Sequence, residues 1–285
     1  MIGAAVGFDP RANSSHFFQV FTGVLITVLL LQILSNYAND LGDAENGADG
    51  AERSDRAVAS GRIRAEAMRR AVYGLAMASL LVGTATVGMA LHGTGMVLHA
   101  LALIGLGIAG IGAAYKYTAG KDPYGYRGLG DLAVMVFFGW VGVSGTAFLV
   151  SGTWDWAWLL PGTFTGSMSV AVLNLNNMRD AERDAAAGKK TLVTRLGFEG
   201  SKKYHAGLLI AGWVALFAFT SVVETGQWRG MMWIALIALV HLRHLIFVAQ
   251  TKDPLRLDGE LKRIALSTAV VAFFLLLAAI QPHWS

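Results

Sequence analysis

Four oxygen-bearing side chains follow the first long apolar stretch of the chain: Asn36, Asn39, Asp40 and Asp43. On a helix, this spacing places all four within roughly 100° of one face. Carboxylates and amides crowded in this way repel one another and lose hydration unless a cation lies among them. Oxygen ligands suit Mg²⁺, which usually keeps water molecules and substrate phosphates as its other ligands. The pattern therefore predicts a magnesium site where this stretch ends.

A second cluster has the same character. The stretch NNMRDAERDAAAGKKTLVTRLG, residues 176–197, also follows an apolar run and repeats the N-x3-D spacing at Asn176 and Asp180. Asp184 follows Asp180 by about one helical turn, so the two carboxylates share a face. Two such clusters at matching places predict two halves of a protein that face one polar cavity.

The composition indicates a membrane protein. Of the 285 residues, 54% are hydrophobic and 15% are charged, and there is no cysteine. A soluble domain has about 25% charged residues. Without cysteine, the chain has no disulfide framework, thiolate nucleophile or cysteine-based zinc site. We predict a single all-α domain over residues 1–285, embedded in the lipid bilayer.

Eight stretches are long and apolar enough to cross a bilayer, which needs about 20 residues. Every Lys and Arg except Arg11, Arg229 and Arg243 lies in the loops on one side of these spans. The positive-inside rule makes that side cytoplasmic, so we predict a multi-pass protein of the cell membrane whose central polar cavity opens to the cytoplasm. The predicted spans are about 17–37, 71–91, 98–115, 131–151, 157–176, 206–223, 231–249 and 264–281, and the main cytoplasmic loops are about 38–70, 116–130 and 177–205.

A cavity with two acidic clusters and nearby basic residues suits a diphosphate bridged by Mg²⁺. Lys189 and Arg195 follow the second cluster and are placed to bind phosphate charge. Apolar helices would hold a lipid tail, and a lipid diphosphate that ionises at carbon is an allylic prenyl diphosphate. The loop YKYTAGKDPYGYRGLGD, residues 115–131, is either an interfacial basic loop or a cap whose Lys121 or Arg127 reaches a phosphate. Its tyrosine faces can stabilise an allylic cation.

Three strings resemble the UbiA-type intramembrane prenyltransferases, and most of all their 1,4-dihydroxy-2-naphthoate polyprenyltransferase branch. They are QILSNYANDLGD-x3-G-x-D, YT-x-G-x2-PYGYRGLGD and NNMRD-x3-D-x3-GKKTL-x2-RLG, in that order along nearly the whole chain. The resemblance implies Mg²⁺-dependent transfer of a polyprenyl chain from its diphosphate to 1,4-dihydroxy-2-naphthoate, with loss of CO₂ and diphosphate, in menaquinone synthesis. It implies no nucleic acid and no obligate protein partner.

The resemblance and the charge pattern together give the expected site. One departure from the family pattern is Gly47, which stands where a further Asp is usual, so either Asp43 or Asp49 would meet a second metal ion. The expected catalytic residues are Asp40, Asp43, Asp180 and Asp184, which together with Asn36 would bind the metal. The expected diphosphate-binding residues are Asn39, Arg53, Lys121, Asn177, Lys189 and Arg195. Tyr117 and Tyr126 are expected beside the acceptor or the allylic cation.

The family is expected to have nine spans, one more than the eight found. The opening residues MIGAAVG are small and apolar, and FDPRANSS after them is typical of a turn. We therefore expect the sequence to begin inside the first span.

Three other functions fit the pattern less well. A prenyltransferase for 4-hydroxybenzoate or homogentisate would share the fold, and only the YGYRGLG string favours the naphthoate branch. A CDP-alcohol phosphotransferase needs Gly after the second Asp, where this chain has Ala44. A divalent-cation transporter should carry its acidic residues near mid-membrane, whereas these lie at one face.

Overall fold

The computed structural model describes residues 1–9, 14–48, 56–120, 122–222 and 228–280. These described residues contain helices and turns and no β-strand, as the all-α prediction requires. A π-helical segment, Met135–Val141, joins the helix Gly130–Val134 to the helix Gly142–Ser151, and short 3₁₀ turns occupy Tyr124–Arg127, Trp156–Trp158 and Pro254–Leu257. The α-helices are α1 (Ile2–Val6), α2 (Ser14–Glu45), α3 (Ala65–Ala90), α4 (Val97–Lys116), α5 (Gly130–Val134), α6 (Gly142–Ser151), α7 (Leu159–Ala186), α8 (Leu192–Val222), α9 (Trp228–Gln250) and α10 (Asp258–Ile280).

Six helical segments in the described part of the chain are long and apolar enough to cross a membrane. Each coincides with one predicted span, so the chain is a multi-pass membrane protein. Their outer surfaces agree with a lipid environment: α4 has no buried residue, and Leu98 on it is 80% exposed. The six segments are Ser14–Glu45, Ala65–Ala90, Val97–Lys116, Gly130–Ser151, Leu192–Ser221 and Pro254–Ile280.

The two other predicted spans, 157–176 and 231–249, remain predictions. The first lies in α7, whose sequence is interrupted by Thr, Ser and Asn side chains and is therefore less apolar than the six. The second lies in α9, of which Leu236–Gln250 forms a shorter apolar helix. The predicted number of eight spans thus rests on hydropathy and charge.

Helices extend beyond the stretches that hydropathy marks. α2 continues through the polar residues to Glu45, and α7 continues to Ala186. The predicted loops 38–70 and 177–205 therefore begin too early, because hydropathy detects where a helix becomes polar and not where it ends. α8 also begins earlier than predicted, at Leu192, with a kink at Gly197 (φ +69°, ψ 174°).

The chain forms two compact units. The first contains Met1–Phe17, Asp131–Ala181 and Leu192–Ser285. Its core is a continuous apolar cluster that includes Phe164, Leu209 and Ile264. α1 lies where the sequence predicted the last turns of a helix, and it is buried against α6 and α10.

The second unit contains Phe18–Gly130 and Glu182–Thr191. Its smaller apolar cluster joins α2 to α3 through Leu34, Ala38, Leu41, Met68 and Val72. Because Ala38 and Leu41 alternate along α2 with the predicted ligand positions, this packing fixes the rotation of the helix end that carries them. The final turn of α7 also belongs to this unit.

Candidate active site

The end of α2 buries two of the predicted carboxylates. Asp40 is 9% exposed and Asp43 is 5% exposed, although both are charged residues at the end of a membrane helix. Asn36, one turn before Asp40, is exposed and so is not enclosed with them. Buried carboxylates need hydrogen-bond or charge partners, and each of these two has several.

The segment after α4 lies directly against the end of α2. A Cβ atom on Gly42 would be 2.6 Å from Thr118 Oγ1 and 2.7 Å from the Thr118 carbonyl carbon, so only glycine permits this approach. Thr118 Oγ1 donates to the Ala38 carbonyl at 3.1 Å and to Asn39 Oδ1 at 3.3 Å, and Asn46 Nδ2 donates to the Thr118 carbonyl at 2.7 Å. These bonds orient Asn39, which the sequence predicted as a diphosphate ligand.

Tyr126 brings the tyrosine-rich loop to the first acidic cluster. Its hydroxyl donates to Asp43 Oδ1 at 2.8 Å, and its carbonyl accepts from the backbone N–H of Lys190 at 2.8 Å. Tyr117, the other predicted aromatic contact, packs against Gly125 and Gly130, which leave room for its ring. Tyr124 packs edge-on against Tyr117. The Tyr124 hydroxyl donates to the Ala113 carbonyl at 2.9 Å, and burial raises the pKa of Tyr124 to about 12.

Lys189 joins the first acidic motif to the second. Its Nζ lies 2.9 Å from Asp43 Oδ1 and 3.6 Å from Asp184 Oδ1, and its side chain is only 13% exposed. The same Nζ lies 4.8 Å from the ring centroid of Tyr126, a cation–π contact. Gly188 adopts φ +73°, which ends α7 and turns the chain so that the Lys189 backbone N–H donates to the Asp184 carbonyl at 2.8 Å. Asp43, Asp184, Lys189 and Tyr126 thus form one cluster within the second unit, which we call the carboxylate–lysine cluster.

The segment Arg56–Gly61 lies beside this cluster. Asp40 Oδ2 accepts from the Ala57 backbone N–H at 2.9 Å, and Asp40 Oδ1 accepts from the Val58 N–H at 3.2 Å. Arg56 Nη2 lies 3.9 Å from Asp43 Oδ2. Of the two buried carboxylates on α2, Asp40 therefore faces backbone donors, whereas Asp43 faces side-chain cations.

In the first unit, Asp180 is held by the arginine that precedes it. Arg179 Nε lies 3.0 Å from Asp180 Oδ1 and Nη2 lies 2.9 Å from Oδ2, a two-point pairing that raises the pKa of Arg179. The same guanidinium bonds to Asn176 Oδ1 at 2.5 Å and to Asp258 Oδ1, at the start of α10, at 2.7 Å. Asn177, the other predicted residue of this stretch, is buried.

One predicted residue is exposed, and three lie outside the described part of the chain. Arg195 is exposed in the first turn of α8. Arg53, Lys121 and Asp49 lie outside the described residues, and so does the choice between Asp43 and Asp49 for a second metal ion.

Sequence reasoning missed Arg56 and Arg179, which contact predicted carboxylates, and Asp258, which bonds to Arg179. The signal for Arg179 is its place between Asn176 and Asp180, which puts a guanidinium on the same helical turn as the carboxylate. No local pattern marks Asp258, because its contact joins residues that are far apart in the sequence.

The donor set fits a hard divalent cation. Asp43 and Asp184 come from different helices and present carboxylate oxygens to one ammonium, so a metal ion that displaced Lys189 would find two hard ligands already oriented. Within the described residues, no three His, Asp or Glu side chains converge as a complete metal site. A metal ion would therefore need water and phosphate oxygens to complete its coordination, which is the usual habit of Mg²⁺.

Comparison with known proteins gives the fold and the family. A solved structure of digeranylgeranylglyceryl phosphate synthase in membranes matches with a TM-score of 0.61 at 14% identity, covering 98% of this chain and 91% of that chain, a likeness of fold alone. The 1,4-dihydroxy-2-naphthoate octaprenyltransferase of Haemophilus influenzae is 38% identical over 271 residues, 94% of this chain and 86% of that protein. The Escherichia coli protein of the same name is 38% identical over 263 residues, covering 92% and 84%. The model of the UbiA prenyltransferase family matches residues 1–257, and the chain therefore belongs to that family.

Proposed function

We propose that this protein transfers a polyprenyl group from polyprenyl diphosphate to 1,4-dihydroxy-2-naphthoate, with Mg²⁺ as the cofactor, and that it acts in the cytoplasmic membrane in menaquinone synthesis. The direct product would be the reduced, quinol form of demethylmenaquinone, with release of CO₂ and diphosphate. The observation that carries the proposal is the 38% identity to two naphthoate octaprenyltransferases over more than nine-tenths of this chain. The carboxylate–lysine cluster supports the proposal, because it combines metal-binding oxygens with a phosphate-binding cation.

The cluster is suited to the departure of diphosphate. A bound Mg²⁺ would supply positive charge to the phosphate oxygens. The bond between the prenyl C1 atom and oxygen would break with its electron pair leaving on the diphosphate. Asp43 and Asp184 would hold the metal, and Lys189 and Arg56 would turn from the carboxylates to the diphosphate. The same cations then stabilise the negative charge that grows on the leaving group in the transition state. We also propose Asp180 as a metal ligand and Asn177 as a diphosphate ligand, as the family resemblance implies.

Tyr126 has two features that suit the allylic cation. Its hydroxyl is fixed by Asp43, and its ring face already lies 4.8 Å from an ammonium group. Once Lys189 turns to the diphosphate, that face is available to the delocalised positive charge of the prenyl group. The aromatic ring of the acceptor then forms a bond to C1. Loss of CO₂ leaves its electron pair in the ring, which restores aromaticity without a nucleophilic side chain.

The test is a set of parallel reactions in membranes that contain the protein. Each receives MgCl₂, an isoprenyl diphosphate and one acceptor, which is 1,4-dihydroxy-2-naphthoate, 4-hydroxybenzoate or homogentisate, and the lipid product is identified by mass. We expect a prenylated product only with the naphthoate, together with labelled CO₂ when its carboxyl carbon carries the label. A prenylated lipid that retains the label, or a preference for either other acceptor, would show that the assignment is wrong. Membranes with the Asp43→Asn variant serve as the matched control.

A further inference from the structure

We propose that Glu260 is a positioning residue for the second acidic motif. Its bond to His244 fixes the rotation of α10 about its own axis, and that rotation directs Asp258 toward Arg179. Arg179 in turn holds Asp180. This inference rests on the proposed function, in which Asp180 binds the metal that holds the diphosphate. It assigns a task to a buried group of charged and imidazole side chains that the proposed chemistry does not use.

A polar network lies inside the first unit, where α8, α9 and α10 meet. Glu260 is 3% exposed, and His205 and His244 are fully buried. Glu260 Oε2 bonds to His244 Nδ1, and Glu260 Oε1 pairs with Arg263 Nη1. His244 Nε2 lies 2.7 Å from His205 Nε2. Because a carboxylate only accepts, a neutral His244 donates to it from Nδ1 and accepts from His205 at Nε2.

Burial makes the geometry of this network strict. Ionisable groups inside a membrane helix bundle are costly, and they pair with one another. A rotation of α10 that separated Glu260 from His244 would leave a buried imidazole N–H without a partner, which is unfavourable. Ile264, one helical turn after Glu260, is also fully buried in the apolar core of the first unit. Apolar packing therefore holds α10 in the bundle, and the bond to His244 sets its rotation.

Asp258 leaves the same turn of α10 in the opposite direction. It lies two residues before Glu260, about 200° around the helix, so the two carboxylates face opposite sides. Asp258 Oδ1 accepts from Arg179 Nη1 on α7 at 2.7 Å. Arg179 Nε and Nη2 lie 3.0 Å and 2.9 Å from the two carboxylate oxygens of Asp180. The first turn of α10 thus joins the buried network on one side to the second motif on the other.

The contact between Asp258 and Arg179 depends on where α10 directs the Asp258 side chain. That side chain is 60% exposed, so burial does not hold it in place. Side chains that bond to a metal-binding carboxylate orient it and tune its affinity for the metal. Arg179 is such a partner for Asp180. Glu260 therefore acts on the binding of metal and diphosphate through Asp258 and Arg179, without touching the substrate.

The first test measures the position of α10 directly. The chain contains no cysteine, so Lys203→Cys and Lys262→Cys, at exposed positions of α8 and α10, can carry two spin labels without other changes. The distance between the labels is measured by pulsed EPR in detergent. Glu260→Gln keeps the reach and the acceptor for His244, so we expect the same distance distribution as in the labelled parent. Glu260→Asp is one methylene shorter and should shift or broaden the distribution. An unchanged distribution in Glu260→Asp would overturn the proposal.

Kinetics then separates position from charge. At saturating MgCl₂, Glu260→Asp should raise the KM for prenyl diphosphate about threefold to fivefold and change kcat less than about twofold, as expected for loss of one exposed ion pair. Glu260→Gln, which removes the charge and keeps the bond to His244, should leave the KM within about twofold. The reverse order would show that charge and not position matters, which contradicts the proposal. The matched control is Glu199→Ala, which removes another carboxylate paired with a lysine in the first unit and should leave the KM unchanged.

Asp258→Asn tests the link to the second motif at an exposed position, where folding is not at risk. It should raise the KM for prenyl diphosphate by the same factor of about three to five. Adding Glu260→Asp should raise the KM no further, because the effects of residues that act through one contact do not add. A parental KM in Asp258→Asn, or additive effects, would overturn the inference. Failure of the proposed function looks different: the parent protein would show no prenyl transfer, while the label distances would still follow the reach of the side chain at position 260.

Discussion

Replacing Lys189 by methionine should destabilise the protein in a way that Mg²⁺ reverses. Methionine keeps the length and apolar character of the lysine stem and removes the charge. In the parent, the ammonium lies 2.9 Å from Asp43 and 3.6 Å from Asp184. Its loss leaves two buried carboxylates without the cation that they share.

The expected magnitude follows from the distances. With an effective dielectric constant of about 20, a charge pair at 2.9 Å or 3.6 Å attracts by about 5 kcal/mol. Much of that attraction is offset by the desolvation of the charges, and removing one partner of a buried pair costs about 3 to 5 kcal/mol in measured cases. Arg56 remains near Asp43 in the variant, so we expect the lower end, about 3 kcal/mol. For a chain of this size, that loss lowers the Tm by about 5 °C.

Thermal unfolding in detergent, with and without MgCl₂, measures the effect. A ligand at a hundred times its Kd stabilises the folded state by about 2.7 kcal/mol, which nearly equals the expected loss. Magnesium should therefore restore most of the Tm of Lys189→Met, while the parent, whose own lysine competes with the metal, should gain much less. The control is Lys190→Met, at an exposed neighbour whose backbone N–H, and not its side chain, bonds to Tyr126. A Tm of Lys189→Met equal to that of this control, or a loss that MgCl₂ does not reverse, would refute the reasoning.

Three further substitutions test other parts of the site. Tyr126→Phe removes the hydroxyl that donates to Asp43 and should lower kcat about tenfold or more. The control Trp154→Phe, in the turn before α7, should change kcat less than twofold. Equal losses of kcat in the two variants would contradict the role assigned to Tyr126. Gly42→Ala places a methyl group 2.6 Å from Thr118 Oγ1 and should lower the Tm through about 1 to 3 kcal/mol of overpacking, so an unchanged Tm in thermal unfolding would contradict the close approach. Arg179→Lys keeps the charge and loses the two-point pairing with its neighbouring carboxylate, so prenyl transfer assays should show a loss of activity that added MgCl₂ does not recover.

The sequence was sufficient to predict the family and an all-helical membrane fold. Length and apolarity located the six helical segments that meet the criteria for a membrane span. The repeated N-x3-D spacing pointed to carboxylates on two helices, and the structure brings Asp43 of the first motif and Asp184 of the second to one lysine. Such patterns are readable because helical period and hydropathy are local properties.

The partners of each carboxylate were not readable, because they depend on contacts between distant residues. Asp40 and Asp43 are three positions apart and have the same side chain, yet one bonds to a backbone turn and the other to Lys189 and Tyr126. Asn36 fits the spacing as well as they do, and it is exposed. Spacing shows that residues share a face of a helix; only the packing of neighbouring segments determines which of them is enclosed.

The charges of the carboxylate–lysine cluster also bear on what the site binds first. Among the described residues, the carboxylates Asp43 and Asp184 lie close to the cations Lys189 and Arg56 before any ligand arrives. A bare Mg²⁺ ion would add positive charge beside these two cations, which disfavours it. A prenyl diphosphate carries more negative charge than one Mg²⁺ offsets, so it provides both a ligand for the metal and a partner for the displaced Lys189 and Arg56. Lys189 and Arg56 therefore favour binding of metal and diphosphate together. For the same reason, Mg²⁺ without diphosphate should bind to and stabilise the protein once Lys189 is removed.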